Sequence, residues 1–101
     1  MIVVANRIPV AESYAEEFEK RFRDREGFVD KSPGFIRYEL LRPSKADAYI
    51  VKTYWEDIAS FEAWTRSEAF KEAHAELPPK EMFAAPSALE IHEVLYTTKK
   101  R

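Results

Sequence analysis

The chain has 101 residues, of which 46% are hydrophobic and 14% are aromatic, so it is long enough for one domain with an ordinary core. Sixteen basic and eighteen acidic residues give a formal net charge of −2, and no element carries a basic stripe, which argues against a nucleic-acid partner. The chain has no cysteine, which excludes disulfides, thiolate nucleophiles and iron–sulfur ligation by this chain. Its two glycines are too few for a phosphate-cradling loop or a dinucleotide fingerprint.

Other function classes are excluded by length and by motif. No apolar run is long enough to cross a membrane, and the start MIVVANRIPV lacks the charged beginning and long apolar centre of a signal peptide. We therefore expect a cytoplasmic protein without a membrane partner. The chain has two histidines but neither an H-E-x-x-H nor a G-x-S-x-G motif, which argues against a hydrolytic zinc site and a serine hydrolase.

The first predicted strand covers residues 2–9, because apolar residues alternate there with a period of two. Asn6 interrupts the face that Ile2, Val4 and Ile8 share. A buried carboxamide without partners costs roughly 1–3 kcal/mol, so its presence asks for a reason. Spacing alone favours an amide bonded to nearby backbone, and the alternative is a donor placed inside a ligand pocket.

A helix is predicted over residues 13–26, since Ser13 and Glu16 fit a capping box and Gly27 suits the position after the end. Tyr14, Phe18 and Phe22 recur every four residues along it, which is typical of a stripe that packs on the core.

A hairpin and a second helical region are predicted next. Residues 35–42 and 48–55 form antiparallel strands with large apolar groups on both faces, so one face is expected to cover helices and the other to meet a second sheet by dimerisation. Ile36, Tyr38 and Leu40 are expected on one face. The following helix begins at Glu56-Asp57, with Ile58, Phe61 and Trp64 on its inner side.

The last third of the chain completes the pattern. Ser67 is expected to begin a second helical segment whose Phe70, His74 and Leu77 share a face until Pro78-Pro79 ends it, followed by an irregular loop over 80–86 and a strand over 87–97. The order strand, helix, strand, strand, helix, strand predicts an α+β fold, a single ferredoxin-like domain over residues 1–101.

The segment from Ala63 to His74 carries the candidate chemistry. On one straight helix Trp64 and His74 would lie roughly 80° apart, but a break at Ser67 would let them reach one pocket. Spacing alone favours a solvated His74 and a core-filling Trp64. If His74 is a metal ligand, heme iron fits better than zinc, because the porphyrin supplies four nitrogens and a single histidine completes the proximal side.

The chain resembles the heme-degrading monooxygenases of the IsdG type, within the wider antibiotic biosynthesis monooxygenase superfamily, and is most similar to their mycobacterial-type branch. The resemblance rests on the first-strand Asn6, the segments KRFRDR and SPGFIRYELLRP, and the stretch YIVKTYWEDIASFEAWTRSEAFKEAH. The spacing W-x-x-x-x-x-F-x-x-W-x-x-S-x-x-F-x-x-x-H, from Trp55 to His74, is its most specific part.

The resemblance implies a heme oxygenase that uses heme as both substrate and cofactor, consumes dioxygen and takes electrons from an external reductant. It implies that His74 is the proximal iron ligand, that Trp64 ruffles the macrocycle and that Asn6 is the distal hydrogen-bond donor. Phe22 and Phe70 would contact the porphyrin, and Arg25 would face a propionate, with a solvated surface arginine as the equal alternative. It also implies a homodimer whose two sheets form a barrel.

Two other classes remain open at this point. A heme-binding or heme-sensing dimer would keep the His74 ligand without degrading the porphyrin. A cofactor-free oxygenase of an aromatic or quinone-like metabolite would use the same pocket without iron. A purely structural dimerisation module would leave the combination of Asn6, Trp64 and His74 unexplained.

Overall fold

The computed structural model describes residues 1–24 and 27–101. It confirms the α+β ferredoxin-like order, with the second helix divided into two segments. The elements are β1 (Ile2–Ile8), α1 (Ala15–Arg23), β2 (Phe35–Leu41), β3 (Tyr49–Trp55), α2 (Ile58–Thr65), α3 (Glu68–Ala73) and β4 (Ala88–Glu93). Short 3₁₀ turns cover Glu12–Tyr14 and Lys80–Met82.

All four strands form one antiparallel sheet in the order β2-β3-β1-β4. β1 is therefore an inner strand, and its residue Asn6 lies opposite Val51 of β3 and Leu89 of β4. Because side chains alternate between the two faces of a strand, Asn6 shares its face with the buried Val4 and Ile8. The sheet thus places a polar side chain in the middle of the otherwise apolar inner face of β1.

Eight of the nine buried residues in the described part of the chain form two clusters on that face. One contains Ile2, Val4, Trp55 and Trp64, and the other contains Ile8, Phe18, Tyr49 and Met82. The predicted aromatic stripe of α1 is confirmed, since Phe18 is buried and its ring lies 4.7 Å from that of Phe22 and 4.8 Å from that of Tyr49, centroid to centroid. These clusters fix α1 and α2 against the sheet.

The start of α1 differs from the prediction. The Ser13–Glu16 capping box does not form, and Tyr14 is the N-cap residue without a side-chain hydrogen bond. The chain enters the helix through a 3₁₀ turn instead, in which the Tyr14 N–H donates to the Ala11 carbonyl at 2.9 Å. The helix ends at Arg23, and the last two residues of the predicted helix, Arg25 and Glu26, lie outside the described residues.

The hairpin carries an irregularity that the alternation pattern did not predict. The register shifts between Phe35 and Arg37, so one extra residue is accommodated as a bulge. The bulge places Phe35 on the same face as Tyr38, and its ring packs edge to face on Trp55 at 5.4 Å. Ile36, expected beside Tyr38, is 46% exposed instead.

The segments after the hairpin show further corrections. Ile58 is 43% exposed because six residues of helix rotate it roughly 120° from Trp64. Leu77 is 86% exposed, since α3 ends at Ala73 before reaching it. The last strand ends at Glu93 and not at residue 97.

The loop over residues 80–86 is more ordered than expected. Met82 is completely buried in the second cluster, and its carbonyl accepts a hydrogen bond from the Ala11 N–H at 2.8 Å. The Ala84 N–H donates in turn to the Pro9 carbonyl at 3.0 Å. These backbone bonds fasten the loop to the end of β1.

Candidate functional site

A cavity of about 530 Å³ lies between the helix-facing side of the sheet and the helices. Its walls are mostly apolar and aromatic, as in typical small-molecule sites. Every sheet strand and every helix contributes to them. The lining residues are Val4, Asn6, Phe22, Gly27, Phe28, Val29, Asp30, Phe35, Tyr38, Val51, Thr53, Phe61, Trp64, Thr65, Phe70, Ala73, His74 and Leu89.

Five of the six site residues named from the sequence line this one cavity: Asn6, Phe22, Trp64, Phe70 and His74. The sixth, Arg25, lies outside the described residues. The lining spans most of the chain, from β1 to β4, although the named residues are far apart in sequence. The fold therefore brings together an amide, an indole and an imidazole around one volume.

Asn6 is half-buried in the wall that the sheet provides. Its carboxamide forms no hydrogen bond to any residue in the described ranges 1–24 and 27–101, so the bond to nearby backbone that spacing favoured is not formed. An asparagine amide offers two donors and an acceptor. In this cavity all of them remain available to a ligand or to water.

The break between α2 and α3 places Trp64 and His74 on the same cavity. The Ser67 Oγ accepts a hydrogen bond from the Phe70 N–H at 3.1 Å and so caps α3. The same hydroxyl donates to the Trp64 carbonyl at 2.7 Å, near the end of α2. One serine thus satisfies backbone groups of both helices at the point where the chain changes direction.

His74 follows the last residue of α3, and its side chain is exposed at the cavity. Its Nδ1 lies 2.8 Å from the Phe70 carbonyl oxygen. Because a carbonyl can only accept, this geometry assigns the proton of the neutral ring to Nδ1 and leaves the lone pair on Nε2. Histidine ligands of metals are commonly oriented in this way.

Four further polar lining residues were not singled out as site residues from the sequence: Asp30, Tyr38, Thr53 and Thr65. Thr53 Oγ1 accepts a hydrogen bond from Trp55 Nε1 at 2.9 Å. Thr53 could have been found from the sequence, because it is a polar residue on the apolar face of β3. Nothing in the sequence pattern marks Asp30 as a cavity residue. Among the described lining residues Asp30 is the only carboxylate, and none is a lysine or arginine.

Among the described residues, the strongest electrostatic interaction lies away from the cavity. Arg42 donates two hydrogen bonds to the Glu19 carboxylate, at 2.9 and 2.6 Å, and the Tyr49 hydroxyl donates a third. These donors lower the pKa of Glu19 to about 2. The network joins α1 to the β2–β3 hairpin. At the start of α2, hydrogen bonds from the Ser60 hydroxyl and N–H likewise lower the pKa of Asp57.

The side chains suit a ligand that brings its own metal donors. Within the described part of the chain, no group of three or more His, Cys, Asp or Glu residues could hold a bare metal ion. A porphyrin iron needs only one histidine from the protein, and its macrocycle needs apolar walls. Both the histidine and the apolar walls are present at this cavity.

None of the helices in the described part of the chain has the length and apolar character needed to span a membrane.

The family model described as antibiotic biosynthesis monooxygenase matches residues 1–76. The chain belongs to the antibiotic biosynthesis monooxygenase family. It is 39% identical over 95 residues to a mycobilin-producing heme oxygenase of Mycobacterium tuberculosis, covering 93% of this chain and 90% of that protein. It is 42% identical over 78 residues to a staphylobilin-producing heme oxygenase of Staphylococcus haemolyticus, covering 73% of each.

Solved structures of similar proteins superpose on nearly the whole chain. A variant of the heme degrader MhuD with two manganese protoporphyrin IX molecules per active site superposes with a TM-score of 0.87, at 33% identity over 99% of this chain and all of that one. MhuD from Mycobacterium tuberculosis with two hemes in its active site gives 0.82, at 35% identity over 98% and 100% of the two chains. SnoaB, a cofactor-independent oxygenase from Streptomyces nogalater, gives 0.76 at 25% identity over 98% and 97%. Within the monooxygenase family the chain falls in the IsdG-type group, on its mycobacterial branch.

Proposed function

We propose that this monooxygenase-family chain degrades heme, opening the porphyrin ring oxidatively and releasing iron. One observation carries the proposal: a single apolar cavity is lined by a histidine whose Nδ1 is already bonded and by an asparagine whose amide is not. The first suits ligation of one iron through Nε2. The second suits a polar contact on the opposite side of a flat ligand. The heme-oxygenase names of the relatives support this choice.

In this proposal His74 binds the iron through Nε2 and keeps its proton on Nδ1, held by the Phe70 carbonyl. Bound heme supplies the iron that activates dioxygen as well as the macrocycle that is oxidised, with electrons from an external reductant. No second cofactor is required from the chain.

The remaining lining residues position and distort the substrate. Trp64 is only 8% exposed and rests on the Phe70 ring, so its indole is a rigid wall against which a macrocycle would be ruffled. Asn6 would donate a hydrogen bond at the distal side. Phe22 and Phe70 would pack on the porphyrin and exclude water, and Arg25 would pair with a propionate.

The test is a visible-absorption titration of the protein with hemin, followed by ascorbate under air with catalase present. We expect saturable binding with a shifted Soret band, then decay of that band with release of iron. His74→Ala is expected to weaken hemin binding at least tenfold, because the iron loses its protein ligand. His92→Ala is the matched control, since this other histidine faces the side of the sheet away from the cavity and should leave binding unchanged.

Other results would select other functions. A Soret band that binds but stays stable after ascorbate would identify a heme carrier or sensor. No hemin binding would overturn the proposal and favour a cofactor-free oxygenase of an aromatic or quinone-like metabolite. A His74→Ala variant with an unchanged hemin spectrum and affinity would refute His74 as the ligand.

We also infer a homodimer formed through the sheet face that carries no helix. This face presents Val3, Ile50, Leu41 and Tyr54, with Leu41 40% exposed. Beyond β4, Leu95 and Tyr96 are 84% and 86% exposed. A sheet face without a covering helix is commonly covered by a second copy in a twofold arrangement.

A further inference from the structure

Phe70 lies between the two aromatic side chains that the proposed function uses. Its ring meets the Trp64 indole edge to face, with ring centroids 5.5 Å apart and an interplanar angle of 84°. The same ring stacks on the His74 imidazole, with centroids 4.1 Å apart and an angle of 29°. A single phenyl ring thus contacts both the indole and the imidazole.

The backbone of Phe70 adds a second constraint on the same imidazole. Its carbonyl accepts from His74 Nδ1 at 2.8 Å and from the His74 backbone N–H at 3.1 Å. The side-chain bond fixes which nitrogen faces the helix, whereas the stack fixes the plane of the ring. Without both, an exposed histidine at a helix end would exchange among several rotamers.

From these contacts we infer that Phe70 is a positioning residue: its backbone carbonyl holds His74 in one tautomer, and its ring holds the imidazole in one plane and the Trp64 indole at a fixed distance from the imidazole. Its consequence for heme binding rests on the proposed function. The role is more than apolar lining, because an aliphatic side chain of similar volume would fill the same space without stacking. The ring, and not only its volume, is therefore what the position requires.

Three variants separate the ring from its volume. Phe70→Leu keeps an apolar side chain but removes both ring contacts, and Phe70→Tyr keeps the ring and should restore wild-type behaviour. Phe22→Leu makes the same change at another cavity-lining residue, whose ring contacts that of Phe18 at 4.7 Å. A shared melting temperature within a few degrees would show that all three variants remain folded.

The first readout needs no heme. In the heme-free protein, NMR of the imidazole nitrogens should show the Nδ1–H tautomer as the major form, and the ring protons of His74 should be shifted upfield by the stacked phenyl ring. Phe70→Leu should lose the upfield shift. It should also increase the Nε2–H tautomer, because the unstacked imidazole can turn away from the carbonyl of residue 70. Phe70→Tyr and Phe22→Leu should retain the wild-type signals.

The second readout uses the hemin complex. Phe70→Leu should raise the dissociation constant for hemin about tenfold, in line with loss of aromatic contacts. Its ferric electron paramagnetic resonance signal should split into several species, while the wild type and Phe70→Tyr should show one. Phe22→Leu should show one species at whatever affinity it retains.

The two hypotheses fail in different ways. If the wild type binds no hemin, the proposed function is wrong, and the NMR experiment still decides the role of Phe70. If the wild type binds hemin through His74 but Phe70→Leu keeps the wild-type tautomer and a single ferric species, the positioning role is overturned. A Phe70→Tyr variant that behaves like Phe70→Leu would also overturn it, because the ring would then be insufficient.

Discussion

Asn6 shows how a single residue type at an unexpected position can indicate a functional site. A carboxamide on the apolar face of an inner strand costs free energy unless it is bonded, and the fold gives it no bond within the described residues. The alternation pattern therefore correctly marked Asn6 as a polar residue on an apolar face. It favoured a hydrogen bond to nearby backbone, however, and that bond is not formed. The deciding information was that no backbone group within residues 1–24 and 27–101 bonds to the Asn6 carboxamide, which depends on how β1 pairs with β3 and β4.

The same residue gives a prediction about turnover. Asn6→Ala should bind hemin with an affinity close to wild type, because His74 and the apolar walls are unchanged. Removing one preorganised donor at a reacting centre typically lowers kcat by about 10²–10³, and we expect a loss near the lower end of that range. Single-turnover decay of the Soret band with ascorbate measures it.

Asn6→Asp is the control for shape, since an ionised aspartate is nearly isosteric but only accepts hydrogen bonds. It should lose turnover as Asn6→Ala does if the donor matters. An Asn6→Ala protein that degrades heme at the wild-type rate would rule out the distal-donor role.

At the scale of elements, strand positions were predicted well because alternation is a local signal. The hairpin, the first strand and the Ser67 cap were all predicted from residues that are close together in the sequence. The bulge at Phe35, the exposure of Ile58 and the burial of Met82 were not, because each depends on which distant element lies opposite. Capping at Ser13 failed for a local reason, since a 3₁₀ turn from Ala11 satisfies a backbone donor at the start of the helix.

The link between α1 and the hairpin gives a prediction about acid stability. The folded-state pKa of Glu19 is about 2, below the ordinary value of 4.5, because Arg42 and Tyr49 donate to its carboxylate. A carboxylate with a lowered folded-state pKa stabilises the fold above its unfolded pKa and loses that contribution as protons bind. The stabilisation should therefore be complete above about pH 5.5 and disappear between about pH 4.5 and pH 2.

Urea unfolding of the wild type and Glu19→Gln across this pH range tests the link. The two proteins should differ at neutral pH and converge near pH 2. Glu17→Gln removes an exposed carboxylate of the same helix that has no hydrogen-bond or ion-pair partner among the described residues, so it reports the effect of net charge alone. A difference between wild type and Glu19→Gln that stays constant down to pH 2 would contradict the assignment.

At the scale of the whole molecule, the fold class followed from element order, but the cavity did not follow from any segment. Its lining comes from all four strands and all three helices, so its volume is a property of packing. Resemblance and spacing were enough to name Asn6, Trp64 and His74 as candidates. They were not enough to show that Thr53 and Asp30 would face the same volume, because those positions depend on sheet register and on loop path.

The final prediction concerns assembly. The outer face of β3 presents Ile50 between Arg7 of β1 and Leu41 of β2, without a covering helix. If a second copy covers this face, light scattering after size exclusion should give about twice the chain mass of 11.8 kDa. Ile50→Glu should yield a monomer, since burying a carboxylate in an interface is costly even beside Arg7. Leu77→Glu, at an 86% exposed position of the loop after α3, should remain dimeric. A wild-type mass of one chain at tens of micromolar would refute the dimer, and an Ile50→Glu dimer with unchanged dissociation would place the interface on another surface.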